Sequence, residues 1–236
     1  MLRRREILFA KRAAVAAAVT GWAAPTTVTS GTSAGSSFAT IPITSVTIPA
    51  GKILVVIAVG QDPSVQTISD DAGGTWTSLT MVQPSSGPVV NHRVFICYGC
   101  PAYSTSNTIT VALSSSKRTN WLVFYLDTPS GTPALDFQDS ATWGTGNLSR
   151  TTPALAMADE FVFVPVVVQS AINGSQVTFP VGFTQFVGST GIGSGSSNPR
   201  LHVAWMIASA TTALTVTTTL SDTSKDNEFA TVALKR

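Results

Sequence analysis

The chain restates part of its hydrophobic pattern about 108 residues further on. Residues 52–59 (KILVVIAV) are echoed by 160–167 (EFVFVPVV). Residues 93–98 (RVFICY) are echoed by 201–206 (LHVAWM), and 120–126 (NWLVFYL) by 228–234 (EFATVAL), each at the same offset. The match is in order and pattern, not in identity. Three segments holding one offset imply two halves of like construction, here 42–126 and 153–236. The echo also filters candidate chemistry. At that offset Cys97 and Cys100 fall on Trp205 and Ala208, so a shared scaffold does not require the cysteines.

The echoed segments are rich in β-branched and aromatic residues, and turn signals separate them: Pro49-Ala50-Gly51, Asp70-Asp71-Ala72-Gly73-Gly74 and Asn173-Gly174. No segment after residue 25 has helical periodicity. Several runs, 53–59 and 161–168 among them, are apolar at every position, which suits strands covered on both faces. The expectation is an all-β fold: a jelly-roll-like antiparallel β-sandwich over 42–236, built from two pseudo-repeated halves and joined through a polar loop segment, 127–152. A single domain is preferred to two tandem sandwiches, because a half of roughly 80 residues buries little core alone.

Charged residues make up only 11% of the chain, against roughly 25% in an average soluble domain. Ser and Thr, about a quarter of all residues, take their place. Such a surface packs against other proteins with few charges to desolvate. The net charge of +2 is unevenly placed. Arg3, Arg4, Arg5, Lys11 and Arg12 against Glu6 leave +4 in the first twelve residues and −2 in the rest. The sandwich is therefore not a nucleic-acid binder by charge. No stretch reaches the ~18 apolar residues of a membrane span.

Residues 1–24 are a basic start followed by an alanine-rich run. Two readings stand: an arm that docks on a neighbouring protein through Arg3, Arg4, Arg5, Lys11 and Arg12, or a twin-arginine export signal. Residues 25–41 read as a Ser/Thr/Gly linker or extended arm.

Candidate chemistry is sparse. Cys97-Tyr98-Gly99-Cys100 has the spacing of metal and redox sites, but His92 and His202 lack short-range partners, so a strand ending in a turn is expected. Asp70-Asp71 read as a turn rather than a calcium loop, because glycines follow at once. Gly31-Thr32-Ser33-Ala34-Gly35 has the letters of a nucleophile elbow without its strand and helix. The glycine-rich run 191–195 lacks the lysine of a phosphate loop. Trp121 and Trp205 lie in apolar strands and belong to the core. Trp143, in the loop segment, is the aromatic best placed to meet a partner or a glycan. Neither a catalytic residue, a cofactor nor a metal is expected.

Several segments together resemble β-sandwich structural proteins of tailed bacteriophages and prophages: 48–56 (IPAGKILVV), 71–77 (DAGGTWT), 93–98, 107–111 (NTITV), Ala158-Asp159-Glu160, and the ending 230–235 (ATVALK). The resemblance implies a virion location and a structural role, in head decoration or in a tail fibre. A decoration (cement) protein would bind the major capsid protein through its arm and act as a symmetric oligomer, such as a trimer. The alternatives are a tail-fibre or cell-surface module that binds glycans, and a twin-arginine-exported protein.

Overall fold

The computed structural model describes residues 21–32, 37–61, 66–79, 90–139, 142–170, 177–186, 198–224 and 226–236. Its regular elements are all β-strands. The first half of the chain supplies β1 (Thr26–Thr32), β2 (Phe38–Ile43), β3 (Ile53–Gln61), β4 (Thr67–Asp70), β5 (Thr77–Leu79), β6 (Val90–Cys97), β7 (Ile109–Lys117) and β8 (Thr119–Leu126). The second supplies β9 (Ala134–Gln138), β10 (Thr142–Thr145), β11 (Leu148–Thr151), β12 (Glu160–Ser170), β13 (Val177–Thr178), β14 (Thr184–Gln185), β15 (Asn198–Ala208), β16 (Thr215–Leu220), β17 (Asp226–Phe229) and β18 (Val232–Lys235).

Among the described residues the strands form four antiparallel sheets. Two are large, in the orders β1-β8-β3-β6-β5 and β10-β17-β12-β15-β14; in the second, β18 also pairs with β12, and β9 with β18. Two are small, in the orders β2-β7-β4 and β11-β16-β13. The all-β expectation holds. The two packed sheets of a single sandwich become four.

The reason lies in the strands that are apolar at every position. Alternate residues of β3 point to opposite faces. Ile53, Val55, Ile57 and Val59 join a core with Phe161, Phe163, Leu201, Val203 and Val232 of the other large sheet. Leu54, Val56 and Ala58 join a second core with Ile41, Ile43, Ile109 and Val111 of the small sheet β2-β7-β4. β12 does the same: Phe161 and Phe163 face the shared core, while Val164, Val166 and Val168 meet Leu148, Val177 and Val216 of the other small sheet. The large sheets are inner layers and the small sheets outer ones, so both faces of β3 and β12 lose contact with water. The outer strands then alternate, as the buried–exposed pattern of β16 shows.

Three segments differ from expectation. The stretch 25–41 contains β1 and the start of β2, paired with β8 and β7, so its threonines contribute to sheets. The segment 127–152 contains β9, β10 and β11. Trp22, assigned above to the arm, is buried in the shared core, 5.9 Å from Phe161 between ring centroids. Residues 1–20, with Arg3, Arg4, Arg5, Lys11 and Arg12, lie outside the described residues.

Pro165 sits in the middle of β12, opposite Val203 on one side. On the other side it meets the break between β17 and β18: Ala230 N donates to the Pro165 carbonyl at 3.2 Å, and Pro165 has no N–H to return. One half of the exchanged pair is missing, and the strand is interrupted there.

Candidate functional site

His92, which the sequence leaves without a short-range partner, meets polar residues from distant strands between the two large sheets. β6 places His92 opposite Val59, and β8 places Asn120 opposite the same residue. Across the interface, β15 and β17 place Leu201 and Glu228 opposite Val167. His92 Nδ1 lies 3.0 Å from Glu228 Oε1, off the line of a good hydrogen bond, with both side chains sealed from solvent. Asn120 Nδ2 donates to the carbonyl of Pro199 on β15. Asn227, next to Glu228, donates from Nδ2 to the carbonyls of Gly144 (3.2 Å) and Gly146 (2.7 Å), tying β17 to the end of β10.

A histidine beside a carboxylate is two-thirds of a hydrolytic triad, but catalysis needs a substrate within reach of the base. Here Val59, Val167 and Leu201 close the space, all three without exposure. The pair links the two sheets. Sequence reasoning missed it because its members lie far apart in the chain. One signal was present: Glu228 shares its face of the strand with Ala230, Val232 and Leu234, where a charge is out of place. His202 lies elsewhere on β15. Burial, with some repulsion from Arg200, pushes its pKa down to about 4, so it is neutral at physiological pH. Its Nδ1 is 3.4 Å from Gln185 Nε2.

The aspartate pair forms the expected turn. Asp70 Oδ1 accepts from Ala72 N (2.9 Å) and Gly74 N (3.0 Å), and Oδ2 accepts from the Trp76 indole. Gly73 takes a φ of 85°, which an L side chain resists. Asp71 Oδ1 accepts from Asn107 Nδ2 (3.0 Å) and Thr108 N (3.1 Å), joining this turn to the start of β7. Burial favours the neutral Asp70 carboxyl, but the donors Gly74, Trp76, Tyr103 and Ala72 outweigh it and hold its pKa below the usual range. Its lone pairs are committed to the turn.

The cysteines are buried free thiols at the end of β6. Burial first, then the neighbouring Cys100, pushes Cys97 up to about 11, and burial raises Cys100 as well. Neither has the thiolate character that reactivity requires. The tetrapeptide forms a turn with Gly99 at a φ of 60°, held by Cys100 N donating to Lys52 O and Gly51 N to Cys100 O, both at 2.8 Å.

Two further carboxyls meet where β9, β12 and β18 run together. Asp136 accepts from Ala156 N (3.0 Å) and pairs with Lys235 (3.1 Å), while Glu160 accepts from Met157 N (2.9 Å). Burial raises the Glu160 pKa; the Met157 N–H opposes this and Asp136 adds to it. An acid beside a carboxylate suits general catalysis, but Asp136 is held by Ala156 N and Lys235, and Glu160 is fully buried.

The remaining sites are plainly placed. Gly31 lies opposite Trp121, and a Cβ there would stand 2.2 Å from the indole, so this glycine makes room for a ring. That explains the first letter of the Gly-x-Ser-x-Gly string, whose residues 33–35 lie outside the described residues. The cleft beside it, of about 210 Å³, is lined by Thr32, Phe38, Ile41, Pro42, Thr119 and Trp121, without a titratable group. Trp205, expected in the core, is half-buried; it stacks on Phe161 at 5.8 Å and packs against the shared core. Trp143 lies on strand β10, opposite Glu228, rather than in a loop. The glycine-rich run 191–195 lies outside the described residues. Among the described residues no three His, Cys, Asp or Glu converge to hold a metal.

No protein-family model, curated protein or solved structure matches the chain.

Proposed function

We propose that the protein is a structural component of a bacteriophage virion: a capsid decoration protein that binds the major capsid protein through its basic N-terminal residues and stabilises the head. The observation that carries this reading is the chemistry of the outer layers. On β2-β7-β4 the outward rows run Thr40, Ala112, Thr67 and Pro42, Thr110, Ser69, exposed on the outer strands and half-buried on β7. On β11-β16-β13 they run Ser149 with Thr217, Thr151 with Thr215, and Thr178 with Thr219. The hydroxyls of the first two pairs bond to each other at 2.7 and 2.8 Å. These rows carry no charge, so covering them against a neighbour costs little desolvation. Action as a symmetric oligomer, a trimer for instance, would let weak contacts of this kind add up.

We further propose two small sandwiches in tandem, each half one jelly-roll unit, in place of the single jelly-roll-like sandwich expected from the sequence. In the first, β1 lies beside β8, β8 beside β3 and β3 beside β6, with β2-β7-β4 as the second sheet. In the second, β9 lies beside β18, β18 beside β12 and β12 beside β15, with β11-β16-β13 as the second sheet. The connection order is the same in both. Register amends one echo. Leu54 stands opposite Cys97, and Val162, its counterpart at the 108-residue offset, stands opposite Met206. Matched through the central strands, β6 corresponds to β15 at an offset of 109, so Cys97 falls on Met206 and not on Trp205.

Quantitative mass spectrometry of purified particles tests the function. The expected result is a copy number comparable to that of the capsid protein. Absence from particles, or a few copies each, would sink the proposal.

A further inference from the structure

The two large sheets meet across a six-residue row, three residues from each. His92, Val59 and Asn120 lie side by side in the first, and Leu201, Val167 and Glu228 in the second. All six are buried. Matching Val59 to Val167 matches His92 to Leu201 and Asn120 to Glu228. The contacts cross between the rows. His92 on β6 meets Glu228 on β17, and Asn120 on β8 reaches Pro199 on β15. A two-fold axis between like units gives this arrangement, since the counterpart of β6 is β15 and that of β8 is the β17–β18 strand.

The apolar part of this interface differs between the halves in side-chain size but not in chemistry. Ile53 and Phe161, Val55 and Phe163, Leu122 and Ala230, Phe124 and Val232 are counterparts, and all lie in the shared core. Two first halves from different chains, or two second halves, would bury the same kind of surface. The polar row does distinguish them. First with first, His92 would meet Asn120. Second with second, Glu228 would meet Leu201, leaving a buried carboxyl group against an apolar side chain. Only unlike halves bring the imidazole to the carboxylate.

We propose that the buried His92–Glu228 pair is the specificity determinant that makes the two halves of one chain select each other and bars like-with-like docking between chains. It works by penalising the wrong pairing as much as by favouring the right one. The inference rests on the paired-halves reading above.

The test uses the full chain. His92→Leu with Glu228→Asn makes the two rows alike, with Leu, Val and Asn in each. A second variant, Glu228→Gln, keeps the size and shape of the side chain and replaces its carboxyl group with an amide. Each protein is unfolded in urea, refolded over a range of concentrations and measured by size-exclusion chromatography with light scattering. Wild type should return to one species at every concentration. Both variants should return a several-fold larger share of higher-mass species, rising with concentration. Refolding of Glu228→Gln to the wild-type species alone would overturn the proposal, whether or not the double variant folds. The paired-halves reading has a separate readout. After cleavage at a protease site inserted between Thr128 and Pro133, the two pieces should stay together with the mass and β-sheet circular dichroism spectrum of the uncut chain. Loss of that spectrum on cleavage would remove the reading itself.

Discussion

Asp70 shows how one side chain organises a turn. Its carboxylate takes two backbone donors and an indole, and each would lack an acceptor if it were removed. Asp70→Ala should therefore cost about 1–3 kcal/mol in urea unfolding, and Asp70→Asn less, since the amide oxygen can still accept from Ala72 or Gly74. The pH dependence has a definite sign. The folded pKa is lowered, so the stabilisation is complete above the unfolded value of roughly 3.9. It is lost as pH falls through the folded value, and wild type and Asp70→Asn should converge in stability there. A gap that persists unchanged at low pH would contradict this account. This turn was legible in the sequence because Asp-Asp-Ala-Gly-Gly encodes it within a few residues. The meeting of His92 with Glu228 was not, since nothing local to either residue states which sheet will lie opposite.

At the scale of elements, the all-apolar runs of β3 and β12 foretold strands covered on both faces. They did not say what would cover them. The two small sheets do so on one side and the opposite large sheet on the other. The strands of 25–41 and 127–152 escaped sequence reading because their threonines and serines carry β propensity without a strong hydrophobic period. Register was equally hidden: a one-residue difference between β6 and β15 preserves the apolar character of both, and only pairing partners reveal it. Pro165 offers a direct test of strand continuity. Pro165→Val supplies the missing N–H opposite Ala230, and it should raise stability by about 0.5–1.5 kcal/mol. Hydrogen exchange should find the new amide protected. A rapidly exchanging amide at 165 would mean that the break between β17 and β18 has another cause.

For the whole molecule, Trp22 marks where the N-terminal segment joins the fold. Trp22→Ala should cost about 3–5 kcal/mol, as large truncations in a core do. Deletion of residues 1–20, which stops short of it, should leave the melting temperature nearly unchanged and abolish incorporation into particles. Unfolding of that deletion variant would place the segment in the core instead of at a partner. The sequence by itself determined the all-β class, the central strands, the turn at Asp70 and the scarcity of charge, because each is written in residues that are neighbours in the chain. Only the tertiary structure decided the four layers, the place of Trp22 in the shared core and the burial of His92 against Glu228. Those depend on which apolar face finds which. Burial of apolar surface is non-directional, so many partners would satisfy a face equally well in the sequence. Shape and the few buried polar groups then choose among them.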